Sequence, residues 1–137
     1  MSNSKHKSKP EPVLPNIVIT TDEARRLSAL ANSSMAIFPR VAHFLVGETE
    51  RAKLVAADCD LRGVVRMGSQ VRYSDHKTGD VRDVVLVYPH EADISLKRIS
   101  VLTPVGAALI GLSVGQVIEF QTPGHYTRSL TVLGVSN

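Results

Sequence analysis

The sequence predicts an α+β protein: an N-terminal antiparallel helical hairpin, a short coiled coil, followed by an antiparallel β-sheet domain with one short helix. Three observations carry this reading. Apolar residues recur at helical spacing through two segments ahead of residue 57. From Gly68 the apolar period changes to two. The stretch Ile99 to Gly124 then reads as strand, capped short helix, strand and turn.

Residues 1–15 are rich in Ser, Lys, Asn and Pro without any period, which predicts a disordered, solubilising tail. Asn16 to Ile19 is a short extended lead-in to a hairpin unit over 16–58. Its first helix opens at Thr20, where Thr20 and Glu23 have capping-box spacing. Asp22 and Glu23 place negative charge at the positive end of the helix dipole. Ala24, Leu27, Leu30 and Ala31 form its apolar stripe, and Asn32-Ser33-Ser34 ends it. A second helix is expected from Pro39 to about Ala56, with Val41, Leu45, Ala52 and Val55 inward and Phe44 alongside. Glu48, Glu50, Arg51 and Lys53 fall mostly on its wet side. The short connection makes the two helices antiparallel neighbours.

Residues 58–67 read as a linker, and the sheet domain spans 68–137. Val71 and Tyr73 alternate with Gln70 and Arg72 before a turn at Asp75 to Asp80. Val81 to Tyr88 is apolar on both faces, which marks a central strand. After a loop at Pro89 to Lys97, Ile99 and Val101 form a strand. Thr103 is placed to cap the next helix, and Pro104 sits at its first position, where a missing N–H costs nothing. Val105, Ala108, Leu109 and Leu112 give that helix one buried face, and Gly111 closes it. Val114-Gly115-Gln116 turns the chain into a strand from Val117 to Gln121, and Thr122-Pro123-Gly124 turns it again. Ser129 to Val135 is the last strand, for four or five antiparallel strands in all.

Composition narrows the function. Apolar residues make up 43% of the chain, enough for an aliphatic core, and the formal charge is only +3. No dense basic stripe and no aromatic interleaving is present, so direct DNA recognition is not expected. No run approaches the ~20 apolar residues of a membrane span. The N-terminus lacks the apolar core of a secretory signal, and the single cysteine, Cys59, fits a reducing compartment. A cytoplasmic location is expected. The five histidines share no ligand spacing, Asp58-Cys59-Asp60 fits no recurring metal site, and no phosphate-binding G-x-x-x-x-G-K-[ST] loop occurs. No metal or cofactor is expected. The three Tyr and three Phe look scattered; Tyr73, Tyr88, Phe120 and Tyr126 are the candidates for a cluster, and core packing explains them as well.

The run Ser100-Val101-Leu102-Thr103-Pro104-Val105-Gly106-Ala107-Ala108-Leu109, with Gly111, Val114-Gly115 and Thr122-Pro123-Gly124 behind it, resembles the C-terminal domain of the Gre transcript-cleavage factors. Upstream, Pro89-His90-Glu91-Ala92-Asp93 resembles the P-x-E-A-D stretch of that family. The likeness covers roughly half of the chain. A short N-terminal segment and Val-Tyr-Pro at 87–89 point to its Rnk branch, the regulators of nucleoside diphosphate kinase. The resemblance implies an FKBP-like domain behind a helical hairpin. Such a protein docks on bacterial RNA polymerase near the secondary channel, competes with Gre-type factors and regulates nucleoside diphosphate kinase level indirectly. By motif position, Ser100, Val101, Leu102, Thr103 and Pro104 match the strand end and loop that the resemblance places against the polymerase. Thr103 stands where the cleavage factors commonly have Ser.

Two enzymatic alternatives remain in view. Isomerases of the FKBP-like fold hold proline in an aromatic pocket floored by tryptophan, and this chain has no Trp. Cleavage factors carry acidic residues at the hairpin tip to help hold a catalytic Mg²⁺, a hard cation that needs carboxylates. The corresponding tip, Ala31 to Phe38, has no Asp or Glu, so no catalytic residue carries over. The expectation is a non-enzymatic monomer that meets RNA polymerase, reaches nucleic acid only through it and touches no membrane. The apolar Met35-Ala36-Ile37-Phe38 either packs the tip or meets a partner.

Overall fold

A computed structural model describes residues 14–124 and 126–137, so most of the expected tail, residues 1–13, lies outside the described residues. The chain enters through a short strand β1, Val18–Thr20, and turns at once into helix α1, Thr21–Ser33. Thr20 is extended and its side-chain oxygen accepts a hydrogen bond from the Glu23 amide at 3.1 Å, the cap expected from the sequence. Helix α2 follows over Pro39–Arg51, with Pro39 in its first turn. Each helix has 13 residues and is therefore about 20 Å long. They pack against one another through Ala24, Leu27 and Ala31 on α1 and Ala42 and Leu45 on α2.

Helix α2 stops short of the expected Ala56. Ala52 takes an extended conformation (φ −68°, ψ 147°), and Lys53–Val55 form strand β2 beside β1. The pairing is parallel, with Val18 opposite Lys53, and the Lys53 amide donates to the Ile17 carbonyl at 2.9 Å. Backbone partners offered by the N-terminal lead-in thus outcompete a further helical turn. No local pattern in residues 52–55 announces that partner.

The second unit is a curled sheet of β3 (Gln70–Asp75), β4 (Val81–Val87), β5 (Arg98–Ser100), β6 (Val117–Thr122) and β7 (Tyr126–Ser136) in the order β5-β4-β3-β7-β6. Three of its pairings are antiparallel, but β4 and β5 run parallel, so the sheet is mixed rather than wholly antiparallel as expected. The chain leaves β4 through two single-turn 3₁₀ segments, Pro89–Glu91 and Ile94–Leu96, and re-enters alongside it. Lys97, left-handed at φ 59°, makes the final turn, and Asp93 and Arg98 exchange backbone hydrogen bonds there. Strand β4 is internal, as its two apolar faces predict, with Leu86 and Val87 buried. Strand β7 is longer than expected and carries a bulge opposite Arg72 and Tyr73.

Helix α3, Pro104–Leu109, packs on β6 and on α2. Gly106, Ala107, Ala108 and Leu109 are all buried, so the helix is covered on more than the single face its periodicity suggests. One core joins both units, running from Leu27 and Leu45 through Leu109, Ile110 and Leu112 to Ile118 and Leu130. The expected linker belongs to this core as well: Leu61 and Val65 are buried, and Val65 exchanges backbone bonds with Leu112 and Gly111. Arg66 pairs with Glu23 of α1 at 3.2 Å. The lead-in is tied to the same corner, since the Val18 amide donates to the Gly111 carbonyl and the Gln116 side chain to the Asn16 carbonyl. Helix α2 is therefore moored at its C-terminal end beside the end of α3.

Candidate functional site

The loop that leaves β5 is built on Ser100. Its hydroxyl accepts from the Leu102 amide at 2.9 Å, and its carbonyl accepts from both the amide and the hydroxyl of Thr103, at 3.1 and 2.7 Å. The Thr103 hydroxyl in turn accepts from the Gly106 amide at 3.1 Å, which caps α3. Pro104 occupies the first helical position, as the sequence predicts. Both hydroxyls are engaged within the loop. These bonds hold the loop in one conformation.

The five residues picked out by motif do not share one fate. Val101 is 0% exposed and its amide bonds to the Val87 carbonyl, so it supports the loop from beneath and presents no surface. Ser100 is half-buried and acts as the loop's internal brace. Leu102, Thr103 and Pro104 are half-buried and line a groove of about 950 Å³.

The rest of that groove comes from two distant parts of the chain. One wall is the start of α2, with Phe38, Val41 and Phe44; the other is the end of β6 and the turn after it, Glu119 to Pro123. All three phenylalanines of the chain meet here, correcting the impression that they are scattered. Phe120 is remote in sequence from Phe38 and Phe44, so only the packing of α2 on α3, and of α3 on β6, brings the three to one groove. Leu102 and Phe44 are half-buried, and Phe38 is about half exposed. Of the groove's polar side chains, Arg40 and His43 stand on the α2 side and Glu119 on the β6 side, all three exposed.

Polar groups brace β6 from beneath. The Arg128 guanidinium lies 5.8 Å from the centre of the Phe120 ring and pairs with the carboxylate of Asp75, a buried residue. Burial pushes the Asp75 carboxyl up, but the Lys77 amide and Arg128 outweigh it and hold it below the usual carboxylate range. Burial pushes the neighbouring Tyr73 hydroxyl up.

Residues 34–38, which join α1 to α2, contain no carboxylate, and Ile37 is 73% exposed. At the other end of the helical unit, Asp60 pairs with Arg62 at 2.8 Å and is held below its ordinary value by it, while Cys59 is exposed. Among the described residues no three His, Cys, Asp or Glu side chains converge as a metal site, and no helix is long and apolar enough to cross a membrane.

Residues 60–137 match the family model described as transcription elongation factor, GreA/GreB, C-term. The regulator of nucleoside diphosphate kinase of Escherichia coli K12 is 35% identical over 119 residues, covering 87% of this chain and 88% of that protein. Transcription elongation factor GreA of Syntrophobacter fumaroxidans is 44% identical over 70 residues, covering 51% of this chain and 44% of that protein. The solved structure of the prokaryotic transcription elongation factor GreA/GreB from Nitrosomonas europaea superposes with a TM-score of 0.69 at 34% identity, covering 90% of this chain and 99% of that one.

Proposed function

The chain belongs to the GreA/GreB C-terminal family of transcription elongation factors, and from that premise we propose that it is a non-catalytic regulator that binds bacterial RNA polymerase near the secondary channel. The observation that carries the reading is the Leu102-Thr103-Pro104 loop, fixed by the Ser100 and Thr103 bonds and set at the rim of an apolar groove. A loop whose polar groups are satisfied internally loses little freedom on docking, which favours affinity. In this reading the sheet with α3 is an FKBP-like docking domain over residues 68–137. Helices α1 and α2 form a short coiled-coil hairpin within 16–58, behind a tail over residues 1–15.

Function here rests on the site and not on the fold alone. The tip lacks the carboxylates that Mg²⁺-assisted RNA cleavage requires, so the protein occupies the polymerase without cleaving the transcript. It competes with Gre-type factors, works in the cytoplasm as a monomer and meets nucleic acid only through the polymerase. Any influence on nucleoside diphosphate kinase level, as the name of the E. coli relative suggests, is exerted indirectly. Pull-down of core RNA polymerase by the tagged protein, with GreA added as competitor, tests this: capture lost to excess GreA supports it, and no capture refutes it.

The meeting of three phenylalanines favours one second reading, a groove for proline-containing peptides with isomerase activity. A proline-peptide isomerisation assay separates the two. Turnover that falls on Phe44→Ala moves the enzyme reading to the front, and no acceleration over the uncatalysed rate removes it.

A further inference from the structure

We propose that the Glu23–Arg66 ion pair is a positioning contact: it fixes the direction in which α1 leaves the sheet unit and contributes little to stability. The base of the helical unit is tied by two bonds, from the Val18 amide to the Gly111 carbonyl and from the Gln116 side chain to the Asn16 carbonyl. Attachment at the base leaves a tilt open. The apolar contacts above it do not close that freedom. Helix α2 meets α3 where both bury small residues, Ala42 on one and Ala107 and Ala108 on the other, and apolar attraction has no direction of its own. The Arg66 guanidinium, 3.2 Å from the Glu23 carboxylate, adds a second point of attachment in the first turn of α1. In the polymerase reading this direction sets where the turn over residues 34–38 points.

Both partners are held on firm backbone. The Arg66 amide donates to the Ser69 hydroxyl at 2.8 Å, and that hydroxyl donates to the Asn137 side-chain oxygen. The Asn137 side-chain amide donates in turn to the Leu61 and Val64 carbonyls at 3.4 Å each. Val65, next to Arg66, exchanges backbone bonds with Gly111 and Leu112. On the other side, the Glu23 amide is fixed by the Thr20 cap, and the Glu23 side chain is 12% exposed. As a source of stability the pair is poorly made. The Arg66 Nε is buried and has no hydrogen-bond partner among the described residues, and both charges give up hydration to meet. Apolar residues often replace such a pair without loss of stability, whereas a directional contact selects one seat among the several that apolar packing allows.

The test uses the full chain with Cys59→Ser and two spin labels, at Asn32→Cys near the end of α1 and at Thr127→Cys on β7, both exposed positions. Pulsed dipolar spectroscopy reads the distance between the labels, and a thermal melt reads stability. No polymerase enters the experiment, so its failure leaves the polymerase reading standing. With Glu23 and Arg66 in place, one narrow distance is expected. Glu23→Met/Arg66→Met is expected to melt cooperatively at or above the same midpoint and to broaden the distance distribution at least twofold, as several seats become populated. Arg25→Met, which removes an exposed pair with Asp22 in the same turn, is the control and should change neither. A double variant whose distribution stays narrow overturns the proposal. One that fails to fold or melts well below the parent also overturns it, because the pair is then a plain stabiliser. Equal broadening in the control overturns it as well.

Discussion

Gly106 lies directly against Ser100: a Cβ added at Gly106 would sit 2.9 Å from the Ser100 carbonyl carbon, closer still to its oxygen, and 2.9 Å from the Thr103 hydroxyl oxygen. That contact lets the first turn of α3 close onto the end of β5, and it sets the shape of the loop between them.

Gly106→Ala is accordingly expected to destabilise the protein by about 1–3 kcal/mol, because the obstacle is backbone and cannot swing aside. Gly47→Ala is the matched contrast. Gly47 is exposed within α2 and a Cβ there meets nothing within 4 Å. Alanine is expected to stabilise by roughly 0.5–1 kcal/mol through its higher helix propensity. Urea unfolding of the two variants should move the midpoint in opposite directions.

Asp75 makes stability depend on acid. Its folded-state carboxyl is held below the ordinary value, so its contribution is fully present above the unfolded-state pKa and is lost as pH falls through the folded one. Stability should decline as pH drops below about 4, the ordinary carboxylate value. Asp75→Asn should flatten part of that decline and leave Arg128 without its charged partner. Thermal midpoints across pH 2–7 (approximately) for both proteins check the sign.

The capping signals were legible because they are local. Thr20 with Glu23, and Thr103 ahead of Pro104, announce helix starts within a few residues, and both form as expected. The alternation at Val71 and Tyr73 likewise marks β3, with both residues buried. What escaped the sequence depends on distant partners. The end of α2 at Arg51 is decided by β1, the parallel β4–β5 pairing by the course of the chain through residues 88–97, and the groove by Phe120 arriving beside Phe38 and Phe44. The Ser100–Pro104 loop is marked by its motif. The α2 wall of the groove carries no motif and becomes visible only with the packing of α2.

The tip between α1 and α2 bears no carboxylate. Added to a backtracked elongation complex, the protein is expected to leave RNA cleavage at its Mg²⁺-dependent background and to slow cleavage driven by GreA through competition. Gel analysis of the nascent transcript reads both effects. Stimulated cleavage that is lost on substitution between Ala31 and Phe38 would contradict the reading of the acid-free tip.

The central claim, docking through the Leu102–Pro104 loop, is tested most directly by the affinity of the Thr103→Ala/Pro104→Ala variant for core RNA polymerase. Losing the Thr103 cap costs about 1 kcal/mol, and Pro104→Ala loosens the backbone of the loop. The core should survive both changes with a cooperative thermal transition. With Arg72→Ala as the folded control, the account predicts binding weakened several-fold in the loop variant alone. A folded loop variant that binds polymerase as tightly as the control would contradict it.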